Sequence, residues 1–295
     1  MRPLIDYIIE KRGIVSGEYS WDVTVDTIMD YMGNIEVGLY EIDEDKLPSW
    51  MIYLIVEIIE SGQASYEFTK SKIMDGKLDG YIKIPLGKNK DWYKSALNHE
   101  LQHAFDDWIA RTRRGKQSGF DDKYCIATGY EYNDLGYDKL YDLVTNPRKC
   151  DFDYVFNILK ETTYALNESE VNAYLREFYI YVEGLQSGNW DFNNILKHAD
   201  NGMVPLICLN CLYGLKRNIN ILDISDEDWE YVSNAVNEKW TKMYLGHIVK
   251  GSGKETILKI VNEIFKVYGK NIVKRYYRVL LDHGLKPQNE PEWFE

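Results

Sequence analysis

The chain predicts an α+β protein, with a small mixed β-sheet packed against one long helix and a mainly helical part after it. Two patterns carry that expectation. Short runs of period-two apolar alternation are confined to the stretch before residue 90, and helical periodicity dominates everything beyond it. The composition agrees: 295 residues at 45% hydrophobic and 28% charged suit a folded globular chain that can bury a full core.

Up to about residue 33 the apolar positions are helical, Leu4, Ile5, Ile8 and Ile9, then Val23, Val25, Ile28, Met29 and Met32. "NIEVGLYEI" (34–42) reads as a strand, placing Ile35, Val37 and Leu39 on one side. "LPSWMIYLIVEIIESG" (47–62) has the length and apolar density of a buried helix closed by Gly62. "ASYEFTKSKI" alternates again, "DGKLDG" is turn material, and "YIKIPLG" (81–87) predicts a short strand that Pro85 assigns to a sheet edge. Asp91 then caps a helix from Trp92 to Arg114. The expected order is strand, helix, strand, strand, helix.

Beyond residue 115 the pattern shows no clear strands. Residues 151–188 read as helices broken near Asn167, and 226–245 and 254–283 as two more. The expected organisation is a mixed lobe over 1–115, a helical lobe over 116–215 and a helical C-terminal extension over 216–295.

The helix at 92–114 contains "SALNHELQHAFDDW" (95–108). At 100° per residue, Leu97, Leu101, Ala104, Phe105 and Trp108 share one stripe, the packing face. His99 and His103 point the other way on neighbouring turns, flanked by the small Ala96 and Ala110. A four-residue spacing lets two imidazoles share one ion, while Glu100, offset around the helix, reaches a water at that ion without ligating it. Two solvated histidines on a wet face are the plain alternative.

A zinc ion also needs a third protein ligand and an open position. Six residues past His103 stands Ile109, which excludes the metzincin histidine; His198, His247 and His283 occur in no paired context. "NESEVNAYLREF" (167–178) is the better source, because Glu168 and Glu170 open a helix and Ala173 leaves room for close approach. Glu170 is the candidate ligand and Glu168 stays open beside it. A capping-box role with Asn167 is the competing reading of Glu170.

"HELQH" followed by a helical "EVNAY" resembles the gluzincin type of zincin metallopeptidases, and "HELQHAF…ESEVNAYLREFY" is similar to zincin-like peptidases of phages and gut bacteria. The likeness covers roughly residues 35–185. It implies a zincin-like fold, Zn2+ held by His99, His103 and Glu170, Glu100 as the general base, and hydrolysis of a peptide or protein substrate. In "NESEVN", Val171 and Asn172 stand where the NExxSD form has serine and aspartate. The partner that orients a histidine is therefore unassigned, with Asp106 and Asp107 as candidates whose simpler reading is surface charge. An oxyanion donor is unassigned too; Tyr164 and Tyr174 lie near the candidate ligand. By analogy an extended peptide would add to the strand edge at 81–87. The rival reading is a catalytically inactive, structural zincin-like protein, for instance of a phage particle, with the helices at 255–284 serving assembly.

Other classes fit worse. A net charge of −12 argues against nucleic acid or an anionic membrane as partner, despite the basic runs at 111–116 and 270–278. No apolar run reaches the length of a leader or a membrane span, so the expected location is the cytoplasm or a virion. Cys208 and Cys211 form a CxxC with apolar flanks and no second copy, which predicts core packing. No cysteine precedes Cys125, which excludes the peptide deformylase ligand set. "GSGKET" (251–256) lacks the glycine and hydroxyl spacing of a nucleotide P-loop.

Overall fold

The computed structural model describes residues 25–26, 28–30, 35–43, 47–114, 142–183, 189–191, 201–240 and 249–288. The coarse class is as expected, mixed α+β with a small mixed sheet and mostly helical content. The chain divides into two compact units, Met1–Asp121 and Asp122–Glu295.

In the first unit, strands β1 (Gly38–Asp43), β2 (Met51–Ile59), β3 (Ser65–Tyr66), β4 (Lys72–Met74) and β5 (Lys77–Pro85) precede helix α1 (Lys90–Arg114). The sheet order is β1-β2-β5-β3, with β4 also paired to β5. β1 is antiparallel to β2 (Tyr40 opposite Val56), β2 is parallel to β5 (Val56 opposite Ile82), and β3 and β4 are antiparallel to β5.

Two expectations are corrected here. Residues 51–59 form a strand, not a buried helix. Leu54, Val56 and Ile58 are buried while Ile55, Glu57 and Ile59 between them are half-buried, the alternation of a pleated strand. Ile55 and Ile59 make the half-buried face apolar as well, so the sequence reads as one nearly continuous apolar run, and five β-branched residues favour the extended form. Nor is β5 an edge. It starts at Lys77, within the segment expected to be a turn, and carries β2 on one side with β3 and β4 on the other. Pro85, which lacks an N–H, is its last residue, and the next amide, Leu86 N–H, donates to Ile59 O at 2.8 Å. On that second side β4 covers Lys77–Asp79 and β3 covers Ile82 and Lys83. Among the described residues the order before α1 is thus strand after strand, with no helix between β1 and β5.

α1 begins two residues before the expected Trp92. Asn89, rather than Asp91, supplies the cap, its Oδ1 accepting the Trp92 N–H at 2.8 Å. The apolar stripe is as read: Leu97, Leu101, Ala104, Phe105 and Trp108 are buried in one cluster with Leu54, Val56, Leu78 and Ile82. Trp50 packs edge-on against Phe105 with ring centroids 5.1 Å apart. Trp108 donates its indole N–H to Gly76 O at 2.7 Å, which fixes the roll of the helix on the β4–β5 turn.

The second unit contains α2 (Asp142–Thr145), α3 (Phe152–Ala165), α4 (Glu168–Glu183), α5 (Val204–Asn218), α6 (Asp226–Trp240), α7 (Gly253–Ile264) and α8 (Lys270–Asp282), the last two joined by a π-helical turn, Phe265–Gly269. α3 and α4 meet at the expected break at Asn167. α6 fills the first part of the helix expected over 226–245; residues 241–245 lie outside the described residues. Two short strands were not expected, β6 (Asn189–Asp191) and β7 (Lys286–Gln288), which pair in parallel.

α4 is clamped within this unit. A Cβ on Gly202 would collide with the Phe178 backbone nitrogen, so only glycine lets the 201–203 turn lie against the helix. Tyr276 of α8 donates its hydroxyl to Gly202 O at 2.6 Å and packs on Phe178 with ring centroids 4.8 Å apart. Arg275, almost fully buried, donates from Nη2 to Asn172 Oδ1, two residues after Glu170.

Candidate metal centre

With the apolar stripe of α1 committed to the sheet, residues 99, 100 and 103 present a second face. The His99 and His103 rings stand one turn apart, edge to face, with centroids 4.8 Å apart and planes at 77°. His99 is half-buried, while His103 and Glu100 are buried, only 4% and 5% exposed. The reading of two freely solvated histidines does not survive for His103. Ala96 and Ala110 are also buried.

Glu170 is buried in the first turn of α4. Its carboxylate and one nitrogen each of His99 and His103 all lie within 4.8 Å of one another, a His, His, Glu group found among the described residues. Two imidazoles and a carboxylate are donors of the kind that hold a metal ion.

The capping-box alternative for Glu170 is only half formed. Asn167 does cap α4, its Oδ1 accepting the Ser169 N–H at 3.1 Å, but its own N–H goes to Tyr164 O at 3.0 Å. The return bond that a glutamate at position 170 would make to that amide is thus replaced by a backbone bond. The Glu168 side chain lies outside the described residues. Ala173 is fully buried.

Asp107 is not the surface charge that its place in "FDDW" implies. It is fully buried, accepts the Tyr66 hydroxyl at 2.8 Å, and pairs with Arg111 Nε at 2.9 Å. Arg111 in turn donates to Ser71 O and Phe68 O and stacks over the Phe68 ring at 4.1 Å. These bonds tie α1, four residues beyond His103, to β3 and the loop after it. Asp106 accepts a bond from Gln102 Nε2 at 2.9 Å. Neither the Tyr66–Asp107–Arg111 chain nor the Arg275–Asn172 bond had a sequence signal beyond a half-apolar aromatic and charges at helical spacing.

The remaining candidates fall into place elsewhere. His283 ends α8, its Nδ1 2.8 Å from Val279 O and its ring edge-on to Tyr179 at 4.3 Å. His198 and His247 lie outside the described residues. Tyr174 packs against Ala165, Val204 and Cys208, whereas Tyr164 is exposed. Cys208 and Cys211 are fully buried on α5, and burial pushes both thiols well above the usual thiol range, as core packing requires.

Among the described residues, no helix is long and apolar enough to cross a membrane. Comparison with protein-family models, with curated proteins and with solved structures finds no match to this chain.

Proposed function

We propose that the protein is a zinc-dependent metallopeptidase of the gluzincin type, with His99, His103 and Glu170 as ligands and Glu100 as the general base. One observation carries the reading: three donors of the appropriate chemistry, two of them on one helix at HExxH spacing, have ligand atoms within 4.8 Å of one another. When bound, zinc supplies Lewis-acid polarisation of a carbonyl and lowers the pKa of water from its bulk value to about 7.

The division of labour among the residues follows from their positions. The helix that carries His99 and His103 is held in rotation by its apolar stripe and by the Asp107–Arg111 anchor. Glu100 follows His99 in sequence and is buried, and the reading assigns it the base. Its carboxylate takes the proton of the attacking water and delivers it to the leaving amine. The ligand role of Glu170 accounts for an acidic residue buried in a helix's first turn.

The test is elemental analysis of the purified protein with a broad peptide-library cleavage screen, on wild type and on Glu100→Gln. About one zinc per chain in both proteins, with cleavage in the wild type alone, is the expected result. Equal cleavage by both would refute Glu100 as the base. Zinc in both with cleavage in neither would assign the protein to the structural, non-catalytic alternative.

A further inference from the structure

The second unit carries two charged surfaces of opposite sign that peptide hydrolysis does not use. From 265 to 281, across the π-helical turn and α8, every exposed charged residue is a cation: Lys266, Lys270, Lys274 and Arg278. The four-residue spacing sets them along one ridge, about 6 Å apart on the α8 axis. Lys266 meets Glu263 at 3.5 Å and Arg278 meets Asp282 at 3.1 Å, near neighbours in sequence whose exposed contacts contribute little. The ridge is a local reversal of sign in a chain whose net charge is −12.

From 219 to 234 the signs are inverted. Every exposed charged residue there is an acid: Asp223 before α6, then Asp226, Glu227 and Glu230 in its first two turns. Asp226 with Glu230, and Glu227 with Tyr231, repeat the four-residue spacing. Both surfaces also hold exposed apolar side chains. Among the described residues of this unit the most exposed large ones are Ile221, Tyr231 and Leu281, at 56%, 59% and 57%. The first two stand in the acidic stretch, and the third ends the basic one. Apolar and aromatic side chains set among charges have the make-up of a protein–protein contact.

We propose that these two surfaces bind each other between copies of this chain, the basic ridge of α8 in one copy docking on the acidic start of α6 in the next. Four cations in a row would suit any polyanion. Only an occupant with apolar side chains among its acids uses Leu281 as well, and the stretch from Ile221 to Tyr231 has both. The net charge makes two copies repel at a distance, so the contact depends on this local complementarity. Because the two surfaces differ, one copy can use both, and the assembly closes as a pair or ring or runs on as a filament. The contact stands apart from the proposed peptidase chemistry and does not depend on it.

Sedimentation of the full-length protein over a concentration series tests the proposal. Association is expected at about 0.1 M salt and its loss at about 1 M, as the screening length falls from about 10 Å to about 3 Å. Lys270→Glu with Lys274→Glu, and Glu227→Lys with Glu230→Lys, should each weaken self-association at least roughly tenfold. An equal mixture of the two double variants should associate again, because each then meets a surface of opposite sign. All four positions are exposed, and circular dichroism checks that both variants fold. Lys88→Glu with Lys90→Glu, the same charge change in the first unit, should leave the association as it is. A wild type that stays monomeric at low salt, reversals without effect, or a mixture of folded variants that fails to associate would overturn the assignment. Poly-glutamate or duplex DNA bound by a monomeric wild type, and not by the Lys270→Glu, Lys274→Glu variant, would overturn it too and give the ridge to another polyanion.

Discussion

Tyr66 donates its hydroxyl hydrogen to Asp107 at 2.8 Å, joining a two-residue strand to the helix that carries His99 and His103 across 41 positions of chain. The carboxylate it meets is fully buried and shared with Arg111. This pair, together with the apolar stripe, sets which way the histidine face of α1 points.

Breaking that anchor should cost much more than an ordinary polar substitution. Asp107→Ala leaves the largely buried Arg111 guanidinium without its counter-charge, a loss of about 3–5 kcal/mol by analogy with other buried pairs. Tyr66→Phe removes one bond to a charged acceptor and should cost about 1.5–3 kcal/mol. Denaturant unfolding measures both, with Asp106→Ala as the reference. An Asp107→Ala protein no less stable than the Asp106→Ala protein would show that the buried pair contributes nothing.

The same phenol predicts a particular alkaline behaviour. Burial first, and the facing Asp107 charge second, push the Tyr66 ionisation well above the usual tyrosine range. An unfolded chain gives up that proton at about pH 10, while the folded chain keeps it. Above that pH the native state binds more protons than the unfolded one, so stability falls as pH rises. Tyr66→Phe should therefore start less stable at neutral pH but lose stability less steeply above about pH 10. An unchanged slope in unfolding measured across that range would contradict the buried, proton-retaining phenol.

How far these features were legible depended on whether one face of an element met water. α1 could be read residue by residue because Leu97, Leu101, Ala104, Phe105 and Trp108 fall on one side and polar groups on the other. The break at Asn167 was legible because an Asx side chain offers the backbone a local alternative to the helix, and it does so here at Ser169. β2 was misread for the opposite reason. Ile55 and Ile59 make its half-buried face apolar too, so its period-two signal vanishes into a run that a buried helix would share. Pro85 misled because a missing N–H excludes only the interior of a ladder, and the residue stands at its end. The three-residue strands β6 and β7 are too short to carry a period at all. Asp107 shows where pattern reasoning stops: a charge beside a second aspartate looks solvated until its partners, 41 residues back at Tyr66 and four ahead at Arg111, are known.

The cysteines on the helical side should be chemically inert. Burial, with Asp142 and Asp151 nearby, pushes the Cys150 thiol up to about 12, and Cys208 and Cys211 are buried completely. Reactivity follows the thiolate, which is nearly absent from all three at pH 8. Native protein treated with iodoacetamide should remain unmodified at these positions, and the same protein in denaturant should react at each. Rapid native labelling of Cys208 or Cys211, read by peptide mass mapping, would mean that the CxxC is a working thiol pair rather than packing.

The last prediction separates Glu170 from Glu168. Both open α4, and sequence spacing alone leaves either free to complete the zinc site. Glu170 is buried with its carboxylate grouped with the two imidazole nitrogens, and its helix is pinned by the Arg275–Asn172 bond and by the turn at Gly202. Removing a ligand should cost more than removing an outer partner of one, which typically costs 10–100-fold, so Glu170→Ala should weaken zinc binding by at least about 100-fold. Glu168→Ala should stay within about tenfold of wild type. Competition against a chromogenic chelator gives the affinities, and thermal unfolding gives an independent readout. Zinc at roughly 100 times its dissociation constant should stabilise the wild type by about 2.7 kcal/mol. That stabilisation should persist in Glu168→Ala and disappear in Glu170→Ala at the same zinc concentration. The reverse ranking, in both affinity and stabilisation, would transfer the third ligand to Glu168 and return Glu170 to a structural role.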